Sequence, residues 1–232
     1  MGKDVIIACD FASSEELFNF LNKFEGRKPF IKVGMELFYA EGPSIIKKIK
    51  ERGHKIFLDL KLHDIPTTVK KAMAVLSKLD VDMVNLHAAG TKTMMEAAIE
   101  GLTRADGTRP ILIAVTQLTS TDEATMHEEL KITGSMQDVV MHYATNAKNA
   151  GLDGVVCSPL EVETVHSVCG NDFLTVTPGV RFADGDVGDQ KRIMTPAQAN
   201  SIGSNYIVVG RPITKATDPL QAYLRCVEEF VG

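Results

Sequence analysis

The chain predicts a closed (β/α)8 barrel. Short apolar runs alternate with helix-spaced apolar stripes from end to end. The runs number eight, as that barrel requires. No Gly-x-Gly-x-x-Gly follows the first run, which counts against the competing open doubly wound sheet. No linker, repeat or low-complexity stretch interrupts the pattern, so one domain over residues 1–232 is expected.

The first run is 5–9, followed by a stripe of Leu17, Phe18, Leu21 and Phe24. The second, 30–33, precedes a helix carrying Ile45, Ile46 and Ile49. The third, 56–60, leads into Ile65, Val69, Ala72, Met73, Leu76 and Leu79. The fourth, 83–86, is followed by Met94, Met95, Ala98 and Leu102. The fifth is 111–115, and after a polar loop comes a helix with Val139, Val140, Tyr143, Ala144 and Ala147. The sixth, 155–157, has Val162, Val165 and Val168 behind it. The seventh, 173–176, precedes a long loop and a short helix near 196–202. The eighth, 206–209, leads to a last helix with Leu220, Tyr223, Leu224, Val227 and Phe230. Two loops exceed the usual few residues, 118–129 and 178–192. Both leave carboxyl ends of strands, where such barrels hold their chemistry. The second is rich in Gly and Asp and is expected to move as a lid.

The net charge of −5 and the absence of a basic patch exclude a nucleic-acid footprint. No stretch of about 18 apolar residues suggests a membrane span. Cys9, Cys157, Cys169 and Cys226 form no Cys-x-x-Cys pair and no zinc spacing. Buried thiols in a reducing compartment are expected. With an N-terminus that enters a strand at once and shows no signal peptide, the expected location is the cytoplasm.

Residues 55–69 concentrate the charge. Alternate strand side chains face opposite ways, so Ile56, Leu58, Leu60 and Leu62 share an apolar face. Phe57, Asp59 and Lys61 share the other. Charge on an inner face is costly unless paired. A structural ion pair is the simpler reading; a site at the strand-to-helix loop is the sharper one. Pro66 suits the helix start that follows. Asp10 closes the first run and Lys32 shares the parity of Phe30 and Gly34. Three neighbouring strands therefore present alternating charges to one mouth, where each sign holds the other ionised. Alternatives are a helix cap for Asp10 and a snorkelling stem for Lys32.

Near the eighth run, Gly210 would let a backbone approach a phosphate and Arg211 would grip it. Arg181 and Gln190 are placed to close over the same group. A tight turn with a surface arginine is the bland alternative. Asp184 to Asp189 superficially matches a calcium loop, but the glycine is misplaced and Thr195 stands where Glu should. His63 and His87 receive no role.

Asp59-Leu-Lys61-Leu-His-Asp64-Ile-Pro66-Thr-Thr68-Val resembles the Asp-x-Lys-x-x-Asp signature of the orotidine 5′-monophosphate decarboxylase family. Ala8-Cys9-Asp10, Gln117-Leu-Thr119-Ser, Thr177-Pro178-Gly179-Val-Arg181-Phe, Asp189-Gln190-Lys-Arg and Val209-Gly210-Arg211-Pro-Ile-Thr resemble it too. The resemblance covers the whole chain in order. It implies a (β/α)8 homodimer, without metal or organic cofactor, that converts orotidine 5′-monophosphate to uridine 5′-monophosphate and carbon dioxide. It implies Lys61 as proton donor to C6, Asp59 beside the departing carboxylate, and Asp64 reaching across to the partner's site. Asp10 and Lys32 would hold ribose hydroxyls, Thr119 the pyrimidine, and Thr68 is counted among substrate-binding positions. Arg181, Gln190, Gly210 and Arg211 would bind phosphate or close the lid. Magnesium-dependent phosphosugar relatives need an extra acid on the second strand, where this chain has Lys32, with Glu36 beyond its end. A non-catalytic nucleotide-binding barrel is the rival from another class, and it has no need of Lys61 and Asp59.

Overall fold

A computed structural model describes residues 2–183 and 194–232. Eight parallel strands close into a barrel in sequence order. They are β1 (Asp4–Ala8), β2 (Phe30–Gly34), β3 (Ile56–Leu62), β4 (Met83–His87), β5 (Ile111–Val115), β6 (Gly154–Val156), β7 (Leu174–Thr177) and β8 (Tyr206–Val209). Pairing of β1 with β8 closes the ring. The helices are α1 (Ser14–Leu21), α2 (Met35–Glu41), α3 (Ser44–Glu51), α4 (Pro66–Leu76), α5 (Thr91–Leu102), α6 (Glu123–Glu128), α7 (Met136–Asn149), α8 (Val162–Cys169), α9 (Pro196–Ser201), α10 (Arg211–Thr214) and α11 (Pro219–Phe230).

The parity read from the third run holds. Ile56, Leu58 and Leu60 join the cluster between sheet and helices. Phe57 joins the inner cluster with Ile6, Phe30, Met83, Ile113 and Val208. Pro66 opens α4, and Ile65 before it is extended (φ −57°, ψ 150°), as a residue preceding proline should be.

Three expectations need correction. The stretch 118–129 is not all loop, because Asp122 accepts from the Thr125 N–H and starts α6 there. Val168 is exposed and Cys169 takes the buried place on α8, so the stripe turns by one residue. A cap role for Asp10 does not hold, since Ser13 caps α1 by accepting from the Glu16 N–H. One helix went unread: α2, directly after β2. The expected lid falls largely on 184–193, outside the described residues, as do the Asp184–Asp189 match and Gln190. Its two described ends meet: the Arg181 N–H donates to the Met194 carbonyl at 3.0 Å.

Among the described residues, no helix is long and apolar enough to cross a membrane. All four cysteines are buried. Burial pushes the Cys9 thiol far up, against the weaker pull of Lys32.

Candidate active site

The carboxyl ends of β1, β2, β3 and β4 assemble one charged network. Lys32 points inward from β2 and is buried. Its Nζ donates to Asp10 Oδ1 at 2.8 Å and lies 3.3 Å from Asp59 Oδ2. Lys61 Nζ donates to Asp59 Oδ1 at 2.6 Å. Burial alone would lower the Lys32 pKa, but the Asp59 and Asp10 carboxylates outweigh it and raise it. Burial alone would raise Asp59, but Lys32, Lys61 and hydrogen bonds from Lys61 and Asn85 hold it below the ordinary value. Alternating charge at this spacing keeps the buried Lys32 and Asp59 ionised.

Gly34 sits against this pair. A Cβ there would lie 3.0 Å from Asp10 Oδ1 and 3.3 Å from Lys32 Nζ. Any side chain would press on the ion pair.

The backbone is unusual at Lys61. Leu58 pairs with Val84 and Leu62 with Leu86, so residues 59–61 of β3 face only Asn85 of β4. Lys61 takes a left-handed φ of +51°, a conformation costing of order 1 kcal/mol or more in a non-glycine residue. Such strain concentrates at functional sites because the surroundings enforce it.

A cavity of about 180 Å³ opens beside this network, lined by Lys32, Asp59, Lys61 and Asn85 on one wall. Gln117, Thr119, Val156, Pro178 and Val208 contribute to the others. Three residues beyond Pro178 and Val208 come Arg181 and Arg211. They line a second, wider cavity of about 870 Å³ with Lys215 and Arg225. Gly210 caps α10 immediately before Arg211. Arg181 is buried and donates from Nη1 to the Val180 carbonyl at 2.9 Å, while Arg211 is exposed. Arg225 stacks on Phe182, 4.1 Å from the ring centre.

The structure thus brings together Asp10, Lys32, Asp59, Lys61 and Thr119, and separately Arg181 and Arg211. Asp64 and Thr68 line neither cavity. Both are exposed, and Asp64 Oδ1 accepts from the Ile65 N–H at 2.6 Å. His87 lies near the network with its ring 5.7 Å from that of His63. Burial first, then His63 and Lys61, lower its pKa and favour the neutral ring.

Sequence reasoning missed Asn85. Its signal was present: a lone amide in an apolar run, on the inward parity of Met83 and His87. Gln117, buried on the cavity wall, was quoted in a motif but given no role.

Comparison with known proteins gives one answer. The model of the "Orotidine 5'-phosphate decarboxylase / HUMPS family" matches residues 3–226. An orotidine 5'-phosphate decarboxylase of Bacillus cereus (strain G9842) is 58% identical over 235 residues, covering 100% of this chain and 99% of that protein. One of Bacillus cytotoxicus is 57% identical over the same length. A crystal structure of orotidine 5'-phosphate decarboxylase from Lactobacillus acidophilus superposes with a TM-score of 0.89 at 44% identity, covering 99% of this chain and 100% of that one. With its motifs, its barrel and a match over nearly its whole length in agreement, this chain belongs to the orotidine 5'-phosphate decarboxylase / HUMPS family.

Proposed function

We propose that this chain decarboxylates orotidine 5′-monophosphate to uridine 5′-monophosphate and carbon dioxide, the last step of pyrimidine nucleotide synthesis, with Lys61 as proton donor to C6. The observation that carries the residue assignment is the paired network at one cavity wall: Lys61 Nζ on Asp59 Oδ1 at 2.6 Å, Lys32 on Asp10 and Asp59. When the C6–carboxyl bond breaks, its electron pair stays on C6 with little resonance help. Fixed positive charge lowers that barrier only where negative charge develops, and the Lys61 ammonium supplies both charge and proton. The proton forms the new C6–H bond as carbon dioxide leaves, and water reprotonates the amine. The Asp59 carboxylate stands beside the departing carboxylate and fixes the ammonium. Asp10 and Lys32 hold ribose hydroxyls and Thr119 the pyrimidine.

Phosphate binds on the β7–β8 side, at Gly210, Arg211 and Arg181, with Gln190 in the same loop. Binding energy from that remote group is available for closure and orientation. The same family includes phosphosugar enzymes, whose magnesium site uses an acid on the second strand. Here Lys32 occupies that strand and spans two carboxylates, which favours the decarboxylase.

The working form is a homodimer in which Asp64, with Thr68, serves the partner's site. In support, Asp64 is exposed at the mouth and touches no member of its own chain's network. Met35, Tyr39 and Ile65, after β2 and β3, leave large apolar surfaces exposed. Four buried cysteines with no Cys-x-x-Cys pair fit a reducing cytoplasm. Neither nucleic acid nor membrane is a partner of this site, and no cofactor is required.

The test is ultraviolet absorbance of orotidine 5′-monophosphate mixed with purified protein in excess chelator. Prompt conversion to uridine 5′-monophosphate is expected. Activity only after magnesium is added would move the chain to the metal-dependent branch, and tight nucleotide binding with no turnover would make it a binding barrel. Mixing Asp64→Ala with Lys61→Ala protein should restore part of the activity through hybrid dimers, and no rescue despite confirmed subunit exchange would remove Asp64 from a shared site.

A further inference from the structure

We propose that Asn85 is a positioning residue that holds Lys61 in its reactive conformation; this rests on the reading of Lys61 as the proton donor. Because residues 59–61 bulge opposite Asn85 alone, the Lys61 N–H has no ladder carbonyl to meet. The Asn85 side chain takes the place of that carbonyl: its Oδ1 accepts from the Lys61 N–H at 2.8 Å. Its Nδ2 donates to Asp59 Oδ1 at 2.6 Å, the same oxygen that accepts from Lys61 Nζ at 2.6 Å. One amide therefore holds the backbone of the donor lysine and the carboxylate that holds its ammonium.

The chemistry suits an amide and little else. The Lys61 N–H can only donate and the ionised Asp59 can only accept, so the two contacts fix which end of Asn85 faces which. Asn85 is 1% exposed, so water does not compete. Leucine would fill the space and form neither bond. Aspartate would accept from Lys61 but set a second buried carboxylate against Asp59. Without the clamp, Lys61 loses what offsets its left-handed φ of +51°. A return to extended φ swings its side chain away from the cavity wall.

The test measures kcat and KM for orotidine 5′-monophosphate from pH 5 to 9 in Asn85→Leu and Asn85→Asp full-length protein. The leucine variant is expected to lose about 100-fold in kcat at every pH, the scale of a catalytic group misplaced by about 1 Å, with KM within about 3-fold. The aspartate variant should be equally poor at high pH and recover relative to wild type as pH falls. Its protonated form again accepts from Lys61 and donates to Asp59. A leucine variant with a lowered melting temperature but kcat within about 3-fold of wild type would overturn the proposal. So would an aspartate-to-wild-type ratio that is flat with pH, and that ratio decides alone if the leucine variant does not fold. Wild type in the same assay separates the two readings. An inactive wild type sinks the decarboxylase assignment, whereas an active wild type beside an active leucine variant sinks only the role of Asn85.

Discussion

The two sides of the barrel mouth are built differently. On the β2–β4 side, polar and charged groups stand on strands, Lys32, Asp59 and Asn85 buried and Lys61 half-buried, each held by another member of the network: Lys32 on Asp10 and Asp59, Lys61 on Asp59, Asn85 on both Asp59 and the Lys61 backbone. On the β7–β8 side, cations stand past the strand ends. Arg211 opens the single turn α10 and is exposed, and Arg181 sits where the chain has already left β7. Strands give the precision that a developing carbanion needs, within a fraction of an ångström. On the proposed reading, groups beyond the strand ends hold a phosphate that supplies binding energy. The proposed function thus divides chemistry and grip between groups on the strands and groups beyond the strand ends.

That division is open to challenge by substitution. Lys61→Ala should lower kcat by at least about 1,000-fold with the protein still folded, since both the proton and the fixed charge go. Arg211→Ala should act mainly on KM, raising it about 10- to 100-fold, as expected for loss of a charge-assisted phosphate contact. Gly34→Ala lies between the two extremes of design: its Cβ would press Asp10 and Lys32 apart by tenths of an ångström. A loss of roughly 3- to 10-fold in kcat/KM is expected, and steady-state kinetics checks it. The smallest effect concerns stability in acid. The folded-state pKa of Asp59 is depressed, so its contribution is complete above the unfolded value near 3.8 and is lost as pH falls through the lower folded value. Asp59→Asn should therefore show a shallower loss of melting temperature below pH 4 than wild type. Parallel acid profiles would contradict the pairing.

Much of the fold was legible because parallel strands buried on both faces read as continuous apolar runs. Every run has its strand, and Asp59 and Lys61 stood out as charges on an inner face. What escaped depends on tertiary detail. The bulge at 59–61 is a mismatch between two strands, and neither strand's own pattern records it. Asn85 has meaning only opposite that bulge. The α2 helix follows β2 with Gly34 at its cap and no side-chain cap, so no start signal marks it. Val168 failed because spacing by three drifts across a helix of 3.6 residues per turn. The role proposed for Asp64 rests on resemblance, since its carboxylate turns to its own backbone.

The most direct test of the divided mouth is a single paired measurement in excess chelator: kcat and uridine 5′-monophosphate affinity of Lys61→Ala and Arg211→Ala, side by side. The expected result is a crossed pattern. Lys61→Ala should lose turnover by at least about 1,000-fold and keep product affinity within about 3-fold, while Arg211→Ala should lose affinity and keep most of kcat at saturation. A Lys61→Ala protein with near-normal turnover, or an Arg211→Ala protein with undiminished affinity, would contradict the account.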